Sequence, residues 1–153
     1  MTVLVRKFEE KDMAPVLELC SYVRDFHIKI LDGVFKPQAD EIEKSILNRV
    51  FFDENFIGFV AEKDNEILGY VFAEKRFPPY LLLPHFNIVN IGVSEKAQNL
   101  GIGRQLMDVV VSVAKEQGVS EIKLGVYNKN INAHKFYEKY GFEPEEQKMV
   151  LKL

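Results

Sequence analysis

A chain of 153 residues is long enough to bury a core of its own, and one domain spanning 1–153 accounts for it. The formal charge of −3, from 20 basic and 23 acidic residues, argues against a general affinity for nucleic-acid phosphates. The single cysteine, Cys20, rules out an internal disulfide or a cysteine metal cluster. His27, His85 and His134 are too scattered to suggest another metal site.

Met1-Thr2-Val3-Leu4-Val5-Arg6 becomes charged too soon for a secretory signal, and no apolar run is long enough to span a bilayer. The expectation is a cytoplasmic protein with no membrane partner. Val3, Val5 and Phe8 read as an opening strand. Asp12 is placed to cap a helix whose apolar positions Met13, Val16, Leu17, Cys20 and Val23 follow helical spacing, with Pro15 tolerated in the first turn. Cys20 then reads as a small buried side chain. A second helix is predicted from near Gln38, after Pro37, with Ile42, Ile46, Leu47 and Val50 on its inner face. Asp25, Asp32, Glu41 and Glu43 could attract a cationic substrate, but read first as the solvated exterior of these two helices.

The runs Phe56–Ala61 and Ile67–Ala73 flank Glu62-Lys63-Asp64-Asn65-Glu66, whose Asp-Asn pair suits a tight hairpin turn. In Phe77-Pro78-Pro79-Tyr80-Leu81-Leu82-Leu83-Pro84 the prolines forbid a central strand, while the apolar side chains call for burial. Such a loop lines either an acceptor pocket or the interface of a homodimer. A strand from Ile88 to Val93 leads to Gln98-Asn99-Leu100-Gly101-Ile102-Gly103. The helix after it, Arg104 to Gln117, carries Leu106, Val109, Val110, Val113 and Ala114 on one side and stops at Gly118. A strand from Ile122 to Val126 comes next, then a short helix with Ala133, Phe136, Tyr137 and Tyr140 at helical spacing and Gly141 as its stop. Met149 to Leu153 read as a last strand. This order predicts an α/β fold, a mixed sheet with helices on both faces.

Strand, glycine-spaced turn and helix start together point backbone N–H groups at a phosphate, aided by the positive end of the helix dipole. A dinucleotide fingerprint would need a small residue at Leu106 and an acidic residue ending the next strand, whereas Glu121 begins it. A nucleotide-triphosphate loop would need Gly-Lys-Ser/Thr where the chain reads Gly103-Arg104-Gln105. A phosphate-bearing cofactor of another kind is left.

The order Val93, then Gln98-x-x-Gly101-x-Gly103, then Asn130-x-x-Ala133-x-x-Phe136-Tyr137-Glu138-Lys139-Tyr140-Gly141-Phe142 resembles the GNAT superfamily of acyl-coenzyme A dependent N-acetyltransferases. The resemblance covers nearly the whole chain in element order and is densest from about Asn90 to Phe142. It implies a mainly antiparallel sheet with one splayed strand pair, and acetyl-CoA as co-substrate. By that resemblance, Gln98, Asn99, Leu100, Gly101, Ile102, Gly103 and Arg104 hold the pyrophosphate. Ile91, Gly92 and Val93 lie along the pantetheine arm, and Asn130, Ala133 and Phe136 join the cofactor site, with a loop or helix-cap asparagine as the other reading of Asn130. Gly92 also suits a kink or close approach.

Tyr137 matches the family tyrosine that protonates the departing thiolate. A phenol with pKa near 10 stays protonated at neutral pH and can donate to a thiolate whose thiol has pKa about 8.5. The same helical stripe also reads as plain core. The attacking amine must first lose a proton, and the candidates are Glu74 and His85 as bases, or Asn87 and Asn90 as water-positioning groups. The glutamate that some family members place early in this strand has only Asn87 as its counterpart. The implied reaction is direct amine attack on the thioester, an oxyanion held by a strand N–H, and protonation of sulfur, without a metal. The acceptor is an amine of a small molecule or peptide. The rival readings are a non-catalytic acyl-coenzyme A binding module and a protein acetyltransferase.

Overall fold

The computed structural model describes residues 2–153 apart from 32, 34, 37 and 38, so the predicted helix start at Pro37-Gln38 and the acidic Asp32 lie outside the described residues. Five strands form one sheet in sequence order: β1 (Leu4–Lys7), β2 (Phe56–Lys63), β3 (Glu66–Arg76), β4 (His85–Val93) and β5 (Ile122–Lys123). The first three pairings are antiparallel and the last is parallel. Helices α1 (Met13–Ile30), α2 (Asp40–Leu47), α3 (Ile102–Glu116) and α4 (Ile131–Tyr140) complete the fold.

The β2–β3 hairpin turns on Asp64 and Asn65, both with positive φ (52° and 62°), the left-handed pair that a two-residue turn between twisted strands requires. Alternation along β3 separates two cores. Tyr70 and Phe72 join Val16, Cys20, Leu47 and Val60 beneath α1, while Val71 and Ala73 join Ile88, Leu106, Met107 and Val110 beneath α3. Helices cover both faces of the central strands, so these read as continuous apolar runs.

Several expectations need correcting. Asp12 does not cap α1, which has no side-chain cap. Its carboxylate instead accepts the Glu9 backbone N–H at 2.8 Å and the Arg6 guanidinium at 2.7 and 2.9 Å, closing the short turn that precedes the helix. The expected inner face of α2 holds only in part: Ile42 is 52% exposed and Ile46 is exposed too, while Leu47 is buried and Val50, in the turn after the helix, packs half-buried against the same core. The cause is Arg24, buried on α1, which ion-pairs with Asp40 at 2.8 Å and Glu43 at 2.9 Å. A buried guanidinium must find carboxylates, and that turns Glu43 and Leu47 inward in place of the isoleucines. Glu43 is therefore not part of a solvated exterior.

The proline loop is not buried within this chain, since Tyr80, Leu81, Leu82 and Leu83 all face solvent. Strand β5 ends at Lys123 rather than Val126. No strand forms over Met149–Leu153, and these residues are exposed.

Candidate functional site

Ladder pairing between β4 and β5 covers only Phe86 with Ile122 and Asn87 with Lys123, while β4 continues to Val93. From Ile88 onward the β5-facing edge of β4 is therefore unpaired, and this is the splayed pair. Opposite it, the β3–β4 register steps from Phe72–Asn90 to Ala73–Ile88 and leaves Val89 as an extra residue. The bulge sets two consecutive side chains on the α1 side: Val89 packs into that core, and Asn90 accepts the Tyr70 hydroxyl at 3.1 Å. The Asn90 amide nitrogen lies 3.7 Å from Cys20 Sγ.

Gly92 pairs regularly with Tyr70 rather than kinking the strand. A Cβ there would lie 2.7 Å from the Tyr70 hydroxyl, so the glycine makes room for that ring on its way to Asn90. Burial holds the Tyr70 phenol well above its ordinary pKa and raises the Cys20 thiol to about 12. Both stay protonated and neutral. Nothing local in the sequence marks Tyr70, which sits inside an apolar strand run; the glycine opposite it in register was the only trace.

At the head of α3, Asn99 and Gly101 take positive φ (65° and 77°), and Ile102 opens the helix two residues before the expected start. No side chain caps this end, and Gln105 N–H is the donor that bonds back to Gly101 O, at 3.1 Å. The N–H groups of the first turn, Ile102, Gly103 and Arg104, thus have no intrahelical acceptor, the arrangement an anion fits. The Ile102 side chain itself is core. A Cβ on Gly103 would lie 3.2 Å from the Phe136 ring, so this glycine lets α4 pack against the first turn of α3.

That contact docks α4, the helix that carries Tyr137, on the first turn of α3. The Tyr137 ring packs against the α3-side core, to which Ile91 and Val93 also belong, and meets Phe136 and Phe142 edge-on at 5.3 and 5.7 Å. Burial alone raises its pKa to about 12. Asn130 caps α4, its side-chain oxygen accepting the Ala133 N–H at 3.3 Å. The Arg104 guanidinium stacks 4.9 Å from the Tyr140 ring centre, and the Tyr140 hydroxyl donates to Asp108 at 2.6 Å.

Glu74 and His85 lie where β4 begins, at the other end of the β3–β4 pair from Gly92. Glu74 is opposite Asn87, its carboxylate bound by Arg49 at 2.6 Å and by Arg76 at 3.4 Å and held below its ordinary pKa, chiefly by the Arg49 hydrogen bond. His85 is buried at the start of β4, five residues from Asn90, roughly 17 Å along an extended strand. Burial lowers its pKa, and its Nδ1 has no partner. Among the described residues no group of His, Cys, Asp and Glu could hold a metal ion, and no helix is long and apolar enough to cross a membrane.

The acetyltransferase (GNAT) family model matches residues 20–142. The chain is 28% identical over 144 residues to a 5-NmdU N-acetyltransferase of Pseudomonas phage PaMx11, covering 92% of this chain and 86% of that protein. It is also 28% identical over 115 residues to N-acetyltransferase 8B of Homo sapiens, covering 75% of this chain and 49% of that protein, so it spans about half of that relative's length. A predicted acetyltransferase of Clostridium acetobutylicum crystallised with acetyl-CoA has the same fold, with a TM-score of 0.78 at 20% identity over 99% of this chain and 96% of that one. The family match spans the glycine turn, the free edge of β4 and α4 alike, and by it the chain belongs to the acetyltransferase (GNAT) family.

Proposed function

We propose that the chain transfers an acetyl group from acetyl-CoA to the primary amine of a small molecule, by direct attack and with Tyr137 as the proton donor to sulfur. The observation that carries this is the packing of Phe136 on Gly103, which docks α4 on the uncapped head of α3 while Tyr137 packs into the same α3-side core as Ile91 and Val93. A relative of Arabidopsis thaliana named an L-ornithine N5-acetyltransferase supports the acceptor class.

Acetyl-CoA supplies the activated acetyl group as a thioester. The first-turn N–H groups of α3 hold its diphosphate, and the left-handed backbone at Asn99 and Gly101 aims them. The free edge of β4 offers unpaired N–H and C=O groups to an extended amide-bearing arm, as a sheet edge does to an added strand. Tyr137, with a pKa of about 12, keeps its proton through neutral and mildly alkaline pH and gives it to the leaving sulfur. Asn90, locked by Tyr70, positions the incoming amine and the water that takes its proton. Glu74 suits a base poorly, because its arginine partners favour the charged, weakly basic form.

The test is thiol release from acetyl-CoA across a panel of primary amines. Tyr137→Phe should lower kcat by about 100-fold, within the range that general acids contribute, with coenzyme A affinity unchanged. Full turnover in the folded variant would return Tyr137 to a core role. Binding of acetyl-CoA without thiol release for any amine would favour the non-catalytic module.

A further inference from the structure

Three aromatic rings from three separate segments meet at the surface, outside both cores. His27 lies near the end of α1, Phe35 between α1 and α2, and Tyr127 between β5 and α4. Their ring centres are 5.3 Å apart for His27 and Phe35, 5.9 Å for Phe35 and Tyr127, and 6.4 Å for His27 and Tyr127. Phe35 and Tyr127 are nevertheless 37% and 46% exposed, so the cluster offers ring surface to solvent. Scattered exposed rings are ordinary on a protein surface. Rings gathered from distant segments and left open mark a place where something docks.

Position along α1 says what docks there. His27 stands seven residues beyond Cys20, two turns and about 10 Å further along the same face of the helix. Cys20 touches Asn90 on β4 while Tyr127 follows β5, so the rings join α1 to the far side of the splayed pair. A molecule whose amine sits at Asn90 therefore reaches the rings with its other end. Arg24 occupies the turn between, where its one guanidinium meets the two carboxylates of Asp40 and Glu43. Among the described residues Glu43 Oε2 is buried without a hydrogen-bond partner, so this path favours a cation and rejects an anion. The His27 ring is fixed by its Nδ1–H, which donates to Val23 O at 2.9 Å and leaves Nε2 as the acceptor of the neutral ring.

Given the acetyl transfer proposed above, we propose that His27, Phe35 and Tyr127 form a stacking platform for the acceptor. The acceptor is then a primary amine joined by a short alkyl arm to a planar aromatic ring, without a carboxylate. Its ring lies on Phe35 and Tyr127 and its amine at Asn90.

The chain contains no tryptophan, so the emission of an added indole reports binding without background. Tryptamine titrated into the coenzyme A complex should bind at least ~10-fold more tightly than butylamine, measured by competition, as stacking on two rings gives. Free tryptophan, the same ring with a carboxylate, should bind ~10-fold more weakly than tryptamine. Tyr127→Ala and Phe35→Ala should each remove most of the tryptamine advantage and keep the fold, since both side chains are exposed, while Tyr127→Phe retains the advantage. Tryptamine no tighter than butylamine, or an advantage undiminished in both alanine variants, would overturn the proposal. Thiol release from acetyl-CoA in the same samples separates the platform from the transferase reading. Release with butylamine and no preference for tryptamine removes the platform alone, whereas tight, ring-dependent tryptamine binding without release from any amine removes the transfer and keeps the platform.

Discussion

The Tyr70 hydroxyl reaches Asn90 only because residue 92 has no side chain, so three residues on two strands act as one device. Tyr70→Phe removes the donor and leaves the Asn90 carbonyl without it. Amine KM is expected to rise several-fold in this variant while coenzyme A affinity holds, and steady-state kinetics with each substrate varied would show the split. Unchanged amine kinetics would detach Asn90 from acceptor positioning. The two turn glycines separate in the same manner. Gly101 has open space around a Cβ but a φ of 77°, whereas Gly103 has ordinary helical surroundings but a ring 3.2 Å away. Gly101→Val therefore strains the turn itself, and calorimetry should show coenzyme A affinity falling at least tenfold, the loss of a charge-assisted hydrogen bond. Gly103→Ala displaces Phe136 and with it Tyr137, so its effect should appear in kcat. The two outcomes reversed would contradict the assignment of the left-handed turn to one glycine and helix packing to the other.

Each element was legible where its own residues decide its fate. The hairpin followed from Asp64-Asn65, the stop of α3 from Gly118, and the order strand, glycine turn, helix from spacing alone. What escaped depended on distant partners. The inner face of α2 could not be read from its own pattern, because the apolar stripe competes with a guanidinium on another helix. Likewise, the reach of β5 is set by where β4 stops accepting it, and the segment ending in Met149–Leu153 has strand periodicity with no strand beside it in its own chain. Within the candidate site, the glycine turn and Tyr137 were visible as motif residues, whereas Tyr70 was hidden among apolar neighbours. The α2 correction is itself testable by denaturant unfolding. Leu47→Ala should cost about 2–5 kcal/mol, while Ile46→Lys should stay within ~0.5 kcal/mol of the wild type, as exposed substitutions do. Comparable losses at both positions would restore the apolar face to the interior.

For the molecule as a whole, acid sensitivity should arrive in two stages. His85 is buried with its pKa lowered from 6.5, so the unfolded chain takes up the proton more readily and stability declines as pH falls below about 6.5. Asp12 and Glu74, lowered from 3.8 and 4.5 by their arginine partners, keep their contribution above those values and lose it as pH falls further. Thermal midpoints against pH should show both limbs, and His85→Gln should erase the upper one alone. The whole account depends on a cofactor lying along the free edge of β4 with its diphosphate on the head of α3. The most direct measurement is a crystal structure with coenzyme A bound. The account predicts phosphate oxygens about 3 Å from the N–H groups of Ile102 to Arg104 and the sulfur within hydrogen-bond reach of the Tyr137 hydroxyl. A diphosphate bound elsewhere, or a sulfur far from that phenol, would contradict it.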